Sequence, residues 1–151
     1  MTPDFHQSLW TDQEVGFCVG RAVLIIPIKM GLDPYGFIGK YQAVQGAGKT
    51  PIALAEEVAD ILVTHSLTAS RLARPTVIRF ASSYSFDNAR KNFARLQKIP
   101  ADAWTPELVE RAREAVPENN QLSECIVPGR TPLPDALTAL LDAVRAKQVT
   151  T

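Results

Sequence analysis

Ser8-Leu9-Trp10-Thr11-Asp12-Gln13-Glu14, followed by the apolar run Ala22-Val23-Leu24-Ile25-Ile26-Pro27-Ile28, decides how this chain is read. Ser8 is suited to cap the first turn of a helix over residues 9–20. Trp10, Glu14, Phe17 and Cys18 recur at i, i+4, i+7 and i+8, which places them on one helical face. Gly20 is a natural stop. Residues 22–29 are apolar without alternation, the pattern of a strand covered on both faces in a parallel sheet. Gly31-Leu32-Asp33-Pro34 ends it.

Working outward, residues 35–45 fit either a short strand or an irregular helix, and Gly46 to Gly48 form a loop. Thr50-Pro51 opens a helix, with Thr50 as cap and Pro51 in first position. Its apolar stripe is Leu54, Val58, Ile61 and Leu62, and it is predicted to run to about Leu72. Composition shifts after Arg74-Pro75. Beyond it lie three helical stripes: Phe86, Ala89, Phe93 and Leu96; Leu108, Val109, Ala112 and Val116, opened by Thr105-Pro106; and Leu137, Leu140, Leu141 and Val144. Val77-Ile78-Arg79-Phe80 fits a strand. The predicted organisation is an α/β piece over 1–75 and a helical extension over 76–151.

Lys+Arg and Asp+Glu are equal at 16 each in 151 residues. A net charge of zero argues against a partner bound mainly by charge, such as nucleic acid or an anionic membrane. Cys18 and Cys125 make no disulfide framework. The longest apolar run is far short of the roughly 20 residues that span a bilayer, and no signal peptide is visible, so the chain reads as cytoplasmic.

Several chemical signals are weak. Ala43 to Thr50 nearly spells a phosphate-binding loop ending in Gly48-Lys49-Thr50, with Ala43 in place of the first glycine. Its lead-in is a poor core strand, and Pro51 removes an amide donor. His6 and His65 are isolated, and no Cys/His cluster has metal-site spacing. Ser82, Ser83 and Ser85 lack a nucleophile elbow and read as caps for the helix at Phe86. Arg90, Lys91, Arg95 and Lys98 form a basic helix side, either solvated or a partner patch.

The Ser-x-Trp-x-x-x-Glu helix start leading into Leu24-Ile25-Ile26-Pro27-Ile28, and the following Asp33-Pro34-Tyr35-Gly36-Phe37-Ile38-Gly39-Lys40, resemble the second half of a bacterial Toll/interleukin-1 receptor (TIR) domain. The resemblance covers residues 3 to about 72. Thr11 stands where the family usually has Cys. The resemblance implies an incomplete flavodoxin-like parallel sheet whose first half is missing, with an exposed edge beside residues 22–29. It also implies an NAD+ glycohydrolase of signalling or defence in the complete protein, inactive as this fragment. Glu14 matches the family's catalytic glutamate. NAD+ is then a substrate, with no cofactor and no metal. Trp10, one turn earlier, is assigned to packing beneath the site, with substrate contact as the alternative.

The chemistry suits one carboxylate. Nicotinamide leaves as a neutral group, and the ribose passes through an oxocarbenium-like state that a carboxylate stabilises. The competing reading of the same residues is a capping box, in which Glu14 returns to the Thr11 amide. The competing function is a non-catalytic module that self-associates or binds other TIR domains.

Overall fold

The computed structural model describes residues 1–149, apart from the side chains of His6 and Leu9. The fold is mixed α/β and mostly helical. Two compact units divide between Ala59 and Asp60.

In the first unit, α1 spans Leu9–Gly20. Two very short strands follow, β1 at Ile28–Lys29 and β2 at Val44–Gln45. They pair in parallel, with Ile28 opposite Val44 and Lys29 opposite Gln45. A parallel sheet is thus present. Residues 22–27 are not strand, which corrects the expectation for 22–29. The cause is a lack of partners: β2 supplies two residues, and Pro27 has no amide to donate. The expected open edge beside the strand is also partly closed. The backbone of Met1 accepts from the Met30 amide at 3.0 Å, and its amino group donates to the Ile28 carbonyl.

Helix α2, Pro51–Thr64, begins as expected, with Thr50 Oγ1 accepting from the Ala53 amide at 3.2 Å. It ends sooner than predicted. The chain turns at residues 65–68, where Thr68 Oγ1 donates to the Leu62 carbonyl at 2.5 Å. Helix α3, Ala69–Ala81, then runs through Pro75. The expected break at Arg74-Pro75 is therefore mid-helix, tolerated because Pro75 lies on the exposed face. Val77 to Phe80 is helix rather than strand.

The second unit is helical apart from one hairpin. Helix α4 spans Phe86–Leu96, α5 Pro106–Glu118, α6 Asn120–Ser123 and α7 Leu133–Val149. The three apolar stripes fall on α4, α5 and α7 as expected. Ser85 Oγ caps α4 by accepting from the Asn88 amide, and Thr105 Oγ1 caps α5 by accepting from Leu108. Antiparallel strands β3, Ile126–Val127, and β4, Thr131–Pro132, form a hairpin before α7. Its turn places Gly129 and Arg130 at φ 89° and 61°. Phe80, Leu96, Leu122, Leu133 and Leu141 are fully buried in one core. Each such side chain contributes about 1.5–3 kcal/mol by leaving water. Asn92 holds the α3–α4 corner, donating to the Arg79 carbonyl and Ser83 Oγ at 3.0 and 2.9 Å.

Candidate functional site

Helix α1 carries both sequence-predicted site residues. It begins at Leu9, with Ser8 at the cap position but no side-chain cap bond. Thr11 therefore lies inside the first turn, and its amide donates to the Ser8 carbonyl at 3.2 Å. The Thr11–Glu14 capping box is absent as a consequence. Glu14 stands exposed in the second turn, with no hydrogen bond or ion pair to any described residue. Trp10, one turn earlier on the same face, is 76% exposed. Phe17, one turn after Glu14, is 67% exposed, so Trp10, Glu14 and Phe17 form an open face of α1.

The opposite side of α1 builds a small cleft that the sequence does not announce. Asp12 and Val15 are neighbours at i, i+3, whereas Asp12 and Glu14 point about 200° apart around the helix. Asp12 and Val15 face Phe5, Tyr35 and Phe37 across a cleft of about 170 Å³. The Tyr35 hydroxyl donates to Asp12 Oδ1 at 3.0 Å. The Phe5 ring meets Tyr35 edge-on, with centroids 6.3 Å apart and planes at 81°. Gly36, at φ 56°, turns the chain after Tyr35 into the 3₁₀ turn Gly36–Ile38. Burial first, and then the bond to Asp12, raise the Tyr35 pKa above that of an ordinary phenol. The lining is largely apolar around one polar pair. Its volume falls below the roughly 300–1,000 Å³ of ordinary ligand sites, and Glu14 lines no part of it.

The glycine-rich stretch before α2 is structural. The Gly46 and Ala47 amides both donate to the Lys29 carbonyl, at 2.8 and 3.2 Å, and the Lys49 amide donates to Gly46. Those amides are the ones a phosphate would need. Lys49 Nζ instead holds both Glu57 oxygens, at 2.5 and 2.6 Å.

The remaining signals resolve similarly. His65 is half-buried, and its Nδ1 accepts from the Leu67 amide at 3.2 Å. The His6 side chain lies outside the described residues. On α4, Arg90 bonds Asp87 and the Ile126 carbonyl, while Arg95 and, just past the helix, Lys98 bond Asp60 at 2.7 and 2.5 Å. The basic helix side is thus largely neutralised from within. Among the described residues no group of His, Cys, Asp and Glu could hold a metal ion. Comparison of the chain with protein-family models, curated proteins and solved structures finds no match to any of the three.

Proposed function

We propose that this chain carries the second half of a TIR-type NAD+ glycohydrolase domain, with Glu14 as its catalytic carboxylate. The observation that supports the reading is the state of Glu14. It projects from the second turn of α1, exposed and without an internal partner, one turn from an exposed tryptophan. A carboxylate used for helix capping or core pairing would have a partner. In the proposed reaction, Glu14 hydrogen-bonds the ribose hydroxyls of NAD+ and stabilises positive charge on the ribose as neutral nicotinamide departs.

The described residues do not build a nucleotide pocket around Glu14. The proposal is therefore that the carboxylate becomes active only against a second wall, and that residues 1–151 alone do not cleave NAD+. The resemblance places such an activity in signalling or defence, drawing on the cytoplasmic NAD+ pool. No helix among the described residues is long and apolar enough to cross a membrane.

A second reading, a non-catalytic TIR-type assembly module, is favoured by a different observation. Trp10 and Phe17, on one face of α1, expose 76% and 67% of their surfaces. Exposed aromatics of this size are characteristic of association surfaces. Nicotinamide release separates the two readings. It is measured on the chain as it stands and on a form extended at its N terminus by the first half of a TIR domain. Turnover by the extended form supports the enzyme. A folded, self-associating extended form without turnover supports the module.

A further inference from the structure

The cleft beside α1 has a chemistry that NAD+ cleavage at Glu14 does not use. Three aromatic rings, Phe5, Tyr35 and Phe37, line it with Val15 and Ile38, and Asp12 is its one charged side chain. The lining holds no cationic side chain, and the proton of its one hydroxyl is given to Asp12 Oδ1. An anion would find no side-chain donor there.

Asp12 alone would not mark a site, since a carboxylate in a first turn suits the helix dipole wherever it occurs. Its setting marks it. Among the described residues Asp12 makes no ion pair, so no side chain balances its negative charge. The Phe5 and Tyr35 planes, at 81°, form a corner rather than a stack. Phe37 leaves 70% of its surface open to solvent at the same cleft. Aromatic rings carry negative faces, and they attract cations most when the cation sheds its water cheaply. A lysine-type ammonium is strongly hydrated. A methylated ammonium spreads its charge over methyl groups and suits an apolar wall. Size narrows the choice further. A cavity of about 150 Å³ takes a benzene-sized group. The cleft, about 170 Å³, therefore matches a trimethylammonium head and is too small for a nucleotide.

We propose that Phe5, Tyr35, Phe37 and Asp12 form a cage for a methylated ammonium group. The rings supply cation–π attraction and Asp12 supplies the opposite charge. The cage does not rest on the NAD+ reading, because Glu14 lines no part of the cleft.

The test uses the full chain, with choline as the probe and the protein's methyl resonances as the readout. Saturable binding in the millimolar range is expected, with the largest shifts at Val15 and Ile38. The uncharged isostere of choline, with tert-butyl in place of trimethylammonium, should bind about tenfold more weakly or worse. Phe37→Leu keeps an apolar side chain without the ring and should weaken choline about threefold or more. Asp12→Asn keeps an acceptor for Tyr35 without the charge and should weaken it about fivefold or more at low salt. Glu124→Gln removes a negative charge from an exposed position in the second unit and should leave binding unchanged. A short peptide carrying trimethyllysine is compared with choline. Tighter binding by the peptide gives the cage a modified protein as its partner, and tighter binding by choline gives it a free small molecule; either supports the cage.

Phe37 and Asp12 are both exposed, and circular dichroism checks the fold of each variant. Should one fail to fold, the isostere comparison and the shift map of the wild-type chain decide. The absence of saturable binding of both choline and the peptide overturns the proposal. So does an isostere that binds as tightly as choline, a shift map centred away from Val15 and Ile38, or binding indifferent to both Phe37→Leu and Asp12→Asn.

Discussion

The Tyr35 hydroxyl donates to Asp12 Oδ1 at 3.0 Å, tying the first turns of α1 to the segment after β1 across 23 positions of sequence. This bond and the Phe5–Tyr35 edge contact fix the one cleft wall that faces α1. Burial and then the Asp12 carboxylate raise the Tyr35 pKa above that of an ordinary phenol. Asp12→Asn removes the charge and keeps the acceptor, and should lower that pKa toward the ordinary phenol value. Difference absorbance of the phenolate, assigned with Tyr35→Phe, is the measurement. A titration curve unchanged by Asp12→Asn would mean that the bond does not persist in solution.

Gly46 is held by packing rather than by ligand chemistry. A Cβ there would lie 2.5 Å from Met30 Sδ, 2.7 Å from Ile28 Cγ2 and 3.2 Å from the Lys29 carbonyl oxygen. The methionine end can move, but the β-branched Ile28 and the strand backbone cannot move without loss of β1–β2 pairing. Gly46→Ala should therefore cost about 1–3 kcal/mol. Hydrogen exchange should read this as faster exchange at the Val44 and Gly46 amides, which donate to Pro27 and Lys29. Lys49→Ala loses one partly exposed ion pair with Glu57 and should cost less than about 1 kcal/mol.

Asp60 stands between Arg95 and Lys98 at the start of the second unit. Burial pushes its carboxyl pKa up, but the hydrogen bonds from Lys98 and Arg95 and their charges push it down further, to below the ordinary Asp value. A depressed folded pKa means that the unfolded chain binds more protons in this range. The stabilisation is therefore complete above the unfolded Asp pKa, near 4, and is lost as pH falls through the lower folded value. Asp60→Asn should destabilise the second unit by about 1 kcal/mol at neutral pH, with its side chain partly exposed. The difference between wild type and variant should close under strongly acidic conditions. Denaturant melts at several pH values test the sign: a gap that widened on acidification would contradict it.

What could be read from the residues is the part governed by local rules. Thr50-Pro51 and Thr105-Pro106 start helices because a side-chain acceptor and a missing amide suit a first turn wherever they occur. The stripes of α4, α5 and α7 are legible because one core takes all of their residues but Phe86. Residues 22–27 read as strand on composition alone, yet strand formation depends on partners that composition does not contain. The break at residues 65–68 carries neither Gly nor Pro; it is made by His65 and Thr68 side-chain bonds. Pro75 reads as a boundary because proline usually is one, and only its exposed setting in α3 shows why this one is not. The α1 face of Trp10, Glu14 and Phe17 was legible as a face but not as an open one. The Asp12–Tyr35 pair joins residues too far apart in sequence for periodicity to connect.

Glu14 is where the two readings of α1 give different numbers. As a capping residue, Glu14 would stabilise the helix start, and its loss would cost roughly 1 kcal/mol. The geometry assigns it no such partner, since α1 begins at Leu9 and Glu14 is beyond the first turn. Glu14→Gln should therefore change the unfolding free energy of the 151-residue chain by less than about 0.5 kcal/mol, the range of an exposed substitution without contacts. In a form extended to a whole TIR domain, the same change should lower NAD+ cleavage by a factor of about 10² or more, because Gln keeps the size and hydrogen-bonding reach but loses the charge that stabilises the ribose cation. Thermal melts of the chain and nicotinamide release by the extended form are read side by side. A stability loss near 1 kcal/mol with unchanged turnover would make Glu14 a structural residue. Unchanged stability with turnover gone would leave the carboxylate with a single task, outside the packing of its own helix.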